Sequence, residues 1–93
     1  MRLKENEIQA IKTIIHALDS GARIFLFGSR VDDTKRGGDI DLLILSSKLA
    51  ERDKRAIRIG LCSELGEQKI DLVIARDASR PFVQIALAEG KEL

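Results

Sequence analysis

Two six-residue stretches decide the fold, Asp39-Ile40-Asp41-Leu42-Leu43-Ile44 and Lys69-Ile70-Asp71-Leu72-Val73-Ile74. Each is short, rich in Ile, Leu and Val, and flanked by glycine or polar residues, so each predicts a buried strand. Each also carries an aspartate inside its apolar run. An unpaired carboxylate in that setting costs several kcal/mol or is driven to take up a proton. Asp41 and Asp71 therefore call for a reason beyond packing. The likeness of the two hexads itself follows from the small vocabulary of buried strands, not from a duplication.

Working outward, Ile24-Phe25-Leu26-Phe27 predicts a further strand, stopped by Gly28-Ser29. Before it, Ile8, Ile11, Ile14, Ile15 and Leu18 recur at helical spacing and predict an amphipathic helix over 6–19. Asn6 is placed to cap its start, and Gly21 to take a left-handed conformation after its end. Residues 30–38 (RVDDTKRGG) form a polar loop. A helix over about 48–65 follows the second strand, capped by Ser46 or Ser47. Its apolar side is Leu49, Ala56, Ile57, Leu61 and Leu65, and Gly66 closes it. After the third strand, over 69–75, Ser79 caps a last helix with Pro81 in its first turn, followed by Phe82, Ile85, Ala86 and Glu89 and ended by Gly90.

The 93 residues, 1–93, make a single domain with one modest core. The order α-β-(turn)-β-α-β-α belongs to the α/β (α+β) class. A helical crossover makes the second and third strands parallel, and the first must run antiparallel to the second if Gly28 is to face Asp39 and Asp41. A small mixed sheet of three or more strands follows, with helices mainly on one face.

The bulk numbers exclude several function classes. No apolar run approaches the roughly 20 residues of a membrane span, and the first residues carry no signal-type segment. One cysteine, Cys62, cannot form an internal disulfide, so a cytoplasmic location is expected. A formal charge of +1 leaves no electrostatic footprint of duplex binding. There is no Trp or Tyr, and Phe25, Phe27 and Phe82 all sit in apolar contexts, so no platform for stacking bases is visible. Nucleic acid is not expected as a partner.

The carboxylates point instead to metal chemistry. Side chains at i and i+2 of a strand share a face, with Cα atoms about 6.6 Å apart. Asp39 and Asp41 can thus grip the same one or two metal ions, and Asp71 comes alongside Asp41. Oxygen ligands select hard cations, of which magnesium uses a couple of carboxylates plus substrate phosphates. Gly28 lets a ligand approach the backbone closely. Exposed N–H groups at this turn, with the Ser29 hydroxyl, can hold phosphate oxygens, and Arg30, Lys35 and Arg36 can neutralise them. Neither GxxxxGK[ST] nor GxGxxG is present.

Gly28-Ser29, nine residues, Asp39-x-Asp41 and a later Ile70-Asp71-Leu72 together resemble the signature of the nucleotidyltransferase superfamily that includes DNA polymerase β. The size and the ending, Ala86-Leu87-Ala88-Glu89-Gly90-Lys91-Glu92-Leu93, look like its minimal nucleotidyltransferase (MNT) branch. That resemblance implies a magnesium-dependent transferase using ATP, with Asp39, Asp41 and Asp71 as catalytic and metal-binding residues. Asp71 would help to deprotonate the acceptor hydroxyl, while Gly28, Ser29 and Arg30 contact the nucleotide. It also implies an antitoxin whose partner is a HEPN-domain toxin, silenced by transfer of AMP to a tyrosine. This chain has no tyrosine, so such an acceptor lies on another molecule. Two alternatives stand beside this reading: a non-catalytic antitoxin or binding module acting by complex formation, and a transferase acting on a small molecule. Homo- and hetero-oligomers both remain open.

The other polar features have plainer accounts. His16 lies off its helix stripe and is expected at the surface, and Cys62 is expected at a core boundary. Arg52, Arg55 and Arg58, with Lys54, read as a solvated helix face.

Overall fold

Alternation along the strands sets the layers of this protein. In a computed structural model that describes residues 3–28, 39–66 and 68–93, the elements are α1 (Glu5–Leu18), β1 (Arg23–Phe27), β2 (Ile40–Leu45), α2 (Lys54–Leu65), β3 (Ile70–Ala75), α3 (Pro81–Glu89) and β4 (Lys91–Glu92). A 3-10 turn over Glu51–Asp53 leads into α2. The four strands form one sheet in the order β3-β2-β1-β4. β1 runs antiparallel to β2 and to β4, whereas β2 and β3 are parallel and in register from Ile40↔Ile70 to Leu45↔Ala75.

Even-numbered strand residues face one way. Ile24, Leu26, Ile40, Leu42, Ile44, Ile70, Leu72 and Ile74 pack with Ile11 and Ile15 of α1 and Ile57 and Leu61 of α2 into the larger core. Odd-numbered residues face the other way: Phe25, Leu43 and Ala75 pack against Val83 and Ala86 of α3. Two helices thus cover one face and the third partly covers the other. β2 is sandwiched, which is why Leu42, Leu43 and Ile44 are all fully buried.

Several local expectations are corrected. α1 is capped at Lys4, whose N–H donates to the Glu7 side chain, and Asn6 lies inside the helix. Gly21 does not adopt positive φ. α1 ends instead on an extended Asp19, whose Oδ1 accepts the Gly21 N–H. Gly66 does take the left-handed region, at φ 84°. Ser46 caps no helix; its buried hydroxyl donates to Asp19 and accepts from the Lys48 and Leu49 N–H groups, tying the ends of α1 and β2 together. Ala56 is exposed. Arg80, not Ser79, occupies the N-cap of α3. That helix docks through Val83 and Ala86, while Phe82 and Ile85 lie outside the core. His16 is half-buried, its Nε2 lying 2.9 Å from the Ala22 carbonyl. Cys62 sits at the edge of the larger core, and Arg52, Arg55 and Arg58 are exposed.

β4 is the strand that the sequence pattern does not reveal. Lys91 and Glu92 have no apolar alternation, yet they pair with Leu26 and Phe25, and the Leu93 N–H donates to the Ile24 carbonyl at 2.9 Å. The crossing depends on Gly90. A Cβ there would lie 2.6 Å from the Ala86 carbonyl oxygen and 2.8 Å from that of Leu26. Both obstacles are backbone and give way poorly. Gly90→Ala is therefore expected to cost about 1–3 kcal/mol, read in a denaturant melt as a lower midpoint with unchanged slope.

Candidate active site

The far end of β1 meets the near ends of β2 and β3. Phe27 pairs with Asp41 across the antiparallel ladder, and Asp41 pairs with Asp71 across the parallel one. Asp39, two residues before Asp41, falls on the same face by alternation. This is the face of α3, but that helix stops short of the carboxylates: Asp41 is half-buried and Asp71 exposed. The aspartates thus avoid the full penalty of a strand interior by lying where the sheet is uncovered.

Gly28 closes the group. Its φ of 77° lies in the left-handed region, and a Cβ built on it would collide with the Asp41 side chain, lying 3.2 Å from Cγ and nearer still to Oδ2. Only glycine allows the chain to turn so close to that carboxylate. Gly28, Asp39, Asp41 and Asp71 are thereby brought to one end of one face, as expected. Ser29 and Arg30, along with Lys35 and Arg36, lie outside the described residues.

Charge accumulates here. The Asp41 carboxyl is held above the usual aspartate range, first by burial, then by the charge of Asp71 and a hydrogen bond with it, then by the charge of Asp39; Lys69 works the other way. Lys69 Nζ stands 3.5 Å from Asp39 Oδ2, in an exposed pair. Among the described residues no three His, Cys, Asp or Glu side chains are drawn tightly enough to cage a metal ion. The donor set nevertheless suits one. It is all oxygen, and the mutual repulsion at Asp41 is the kind of strain that a hard divalent cation relieves.

Lys69 and Phe82 are residues of this region that sequence reasoning passed over. Lys69 precedes Asp71 by two, and the same alternation that pairs Asp39 with Asp41 would have placed it on this face. Phe82 stands half-exposed against Phe27, although its sequence context is apolar. A cavity of about 330 Å³ lined by Asp19, Arg23, Ser46 and Arg76 lies at the other end of the sheet, beside Leu45. It takes no part in the carboxylate site. No described helix is long and apolar enough to cross a membrane.

Comparison with known proteins gives two positive findings. Residues 9–93 match the family described as polymerase beta, nucleotidyltransferase. The fold is similar to a chain in a crystal structure described as the toxin–antitoxin MntA–HpeT carrying the substitutions D39E and D41E. The two are 27% identical with a TM-score of 0.73, the match covering 97% of this chain and 71% of that one. No curated protein matches.

Relief of the repulsion has a measurable signature. Ionised Asp41 destabilises the metal-free fold at neutral pH, because its folded pKa lies above the ordinary value near 3.8. Asp41→Asn should melt at a higher temperature than wild type at pH 7 in chelator. The gain should fade as the pH falls through the raised folded pKa, since wild type then becomes neutral as well. A thermal melt series from pH 7 to about pH 4 reads both trends.

Proposed function

Because the chain belongs to the polymerase β nucleotidyltransferase family, we propose that it moves AMP from ATP to a hydroxyl, in a magnesium-dependent reaction, on a tyrosine of a HEPN-type toxin partner. The observation that carries this reading is the convergence of Asp39, Asp41 and Asp71 beside Gly28 at one sheet end. The partner assignment draws support from the fold likeness to a toxin–antitoxin protein and from the absence of any tyrosine in this chain. A small single domain has little surface with which to orient an acceptor, and a partner supplies it.

In this reading Asp39 and Asp41 hold magnesium, with Asp71 as the third carboxylate. The metal, when bound, neutralises phosphate charge and favours the ionised acceptor oxygen. The acceptor oxygen attacks the α-phosphorus of ATP, the bond to the bridging oxygen of the β-phosphate breaks, and pyrophosphate departs. Asp71 is the exposed member of the trio, open to an incoming hydroxyl, and accepts its proton. The backbone at Gly28, unshielded by any side chain, lets the triphosphate come against the turn. Lys69, exposed beside Asp39, would be available to a phosphate oxygen.

A second reading is an antitoxin that neutralises its partner by binding alone, and the fold likeness to a toxin–antitoxin protein accommodates it equally. Labelled ATP, Mg²⁺ and the protein encoded by the neighbouring gene distinguish the two. The wild-type chain should label its partner. The Asp39→Asn/Asp41→Asn double variant should lose at least roughly a thousandfold in rate, the scale of a metal clamp worth several kcal/mol. Absence of labelling by wild type, or full protection of cells by the double variant, would favour simple binding.

A further inference from the structure

α3 docks on the sheet through Val83 and Ala86, both buried, while Phe82 lies outside that core. Phe82 is nevertheless held in a defined place. Its ring meets that of Phe27 edge-to-face, with centroids 5.7 Å apart and planes at 81°, while half of the side chain stays open to water. Phe27 in turn is the cross-strand partner of Asp41. Strand pairing and ring contact thus link Asp41 to Phe27 and Phe27 to Phe82 on one face of the sheet.

Directly opposed strand residues have Cβ atoms about 4.5–5.5 Å apart. With the Phe27 ring and the 5.7 Å step added, Phe82 stands on the order of 10 Å from the Asp41 carboxylate. A ribose joins a base to its phosphates over a similar span. The chain has no Trp or Tyr, Phe25 is buried and Phe27 half-buried, so Phe82 carries the most open aromatic surface of the protein.

We propose that Phe82 is the stacking platform for the base of the nucleoside triphosphate, with Phe27 fixing its orientation from behind. This rests on the nucleotidyl-transfer reading above and adds to it the place of the base. Stacking accepts every base because each has a π-face, and a purine offers the larger one. The phosphates, held at Gly28 and the carboxylates, set the chemistry, while Phe82 sets affinity and a preference for purines.

Calorimetric titration of the full chain with ATP and with tripolyphosphate, both in Mg²⁺, tests this without any partner. Phe82→Ala should weaken ATP about tenfold and leave tripolyphosphate unchanged. Phe82→Leu, which keeps an apolar contact with Phe27 but lacks the π-face, should resemble Phe82→Ala. Phe82→Trp should retain ATP binding. As the sole indole of the chain, it should also be quenched by ATP and not by tripolyphosphate. Recovery of ATP binding in Phe82→Leu would mean mere packing and overturn the platform. So would unchanged ATP binding in Phe82→Ala, whether or not the partner then binds less well, and so would an equal loss of tripolyphosphate. A wild-type chain that binds neither ligand would sink the transfer reading itself, a result distinguishable from the others.

Discussion

The in-register pairing of Asp41 with Asp71 is the contact around which the molecule is arranged. Two carboxylates abreast in a parallel ladder repel each other, and this repulsion adds to burial in raising the Asp41 pKa. A fold would shed such a contact if stability were its only requirement. It is tolerated because β2 is clamped elsewhere along its length. Leu42, Leu43 and Ile44 are fully buried between α1 and α2 on one side and α3 on the other. Apolar burial on the order of 25 cal/mol per Å² outweighs a repulsion that the half-open site partly screens.

The two sheet faces have divided tasks. Along β1, β2 and β3 the even-numbered face is committed to packing, and its strand positions carry no polar residue. The odd-numbered face begins with acidic residues and becomes apolar only beyond them, where Val83 and Ala86 descend on Leu43 and Ala75. α3 therefore stabilises the far half of this face and borders the near half. Of its two exposed apolar side chains, Phe82 and Ile85, the first lies against Phe27 at that border.

Much of this was legible from residue order alone. The three core strands, the parallel and antiparallel pairings and the shared face of Asp39, Asp41 and Asp71 all follow from period-two alternation and a helical crossover. What escaped has no periodic signature. β4 is two charged residues held by a close backbone crossing at Gly90, a fact of tertiary space. The side of α3 that meets the sheet could not be chosen between Val83 and its neighbours, since Phe82 and Ile85 are as apolar. The starts of α1 and α3 differ from expectation by two residues and one because Lys4 and Arg80, which carry no capping side-chain oxygen, occupy the cap positions. α2 begins at Lys54, not near 48, because the chain first makes the 3-10 turn over Glu51–Asp53. Lys69 was overlooked for a different reason, having been treated as a strand boundary and not as a side chain with a direction.

The register of the ladders also governs when the site can exist. Gly28, Asp39 and Asp41 come together through the pairing of β1 with β2, strands that follow one another in sequence. Asp71 joins only after α2 has crossed the sheet and β3 has docked on the far edge of β2. A slip of one residue in that last pairing would turn Asp71 to the face of α1 and α2, into hydrocarbon. Without β3 paired, two of the acidic groups lie together and the third is missing, so the complete trio requires the complete sheet.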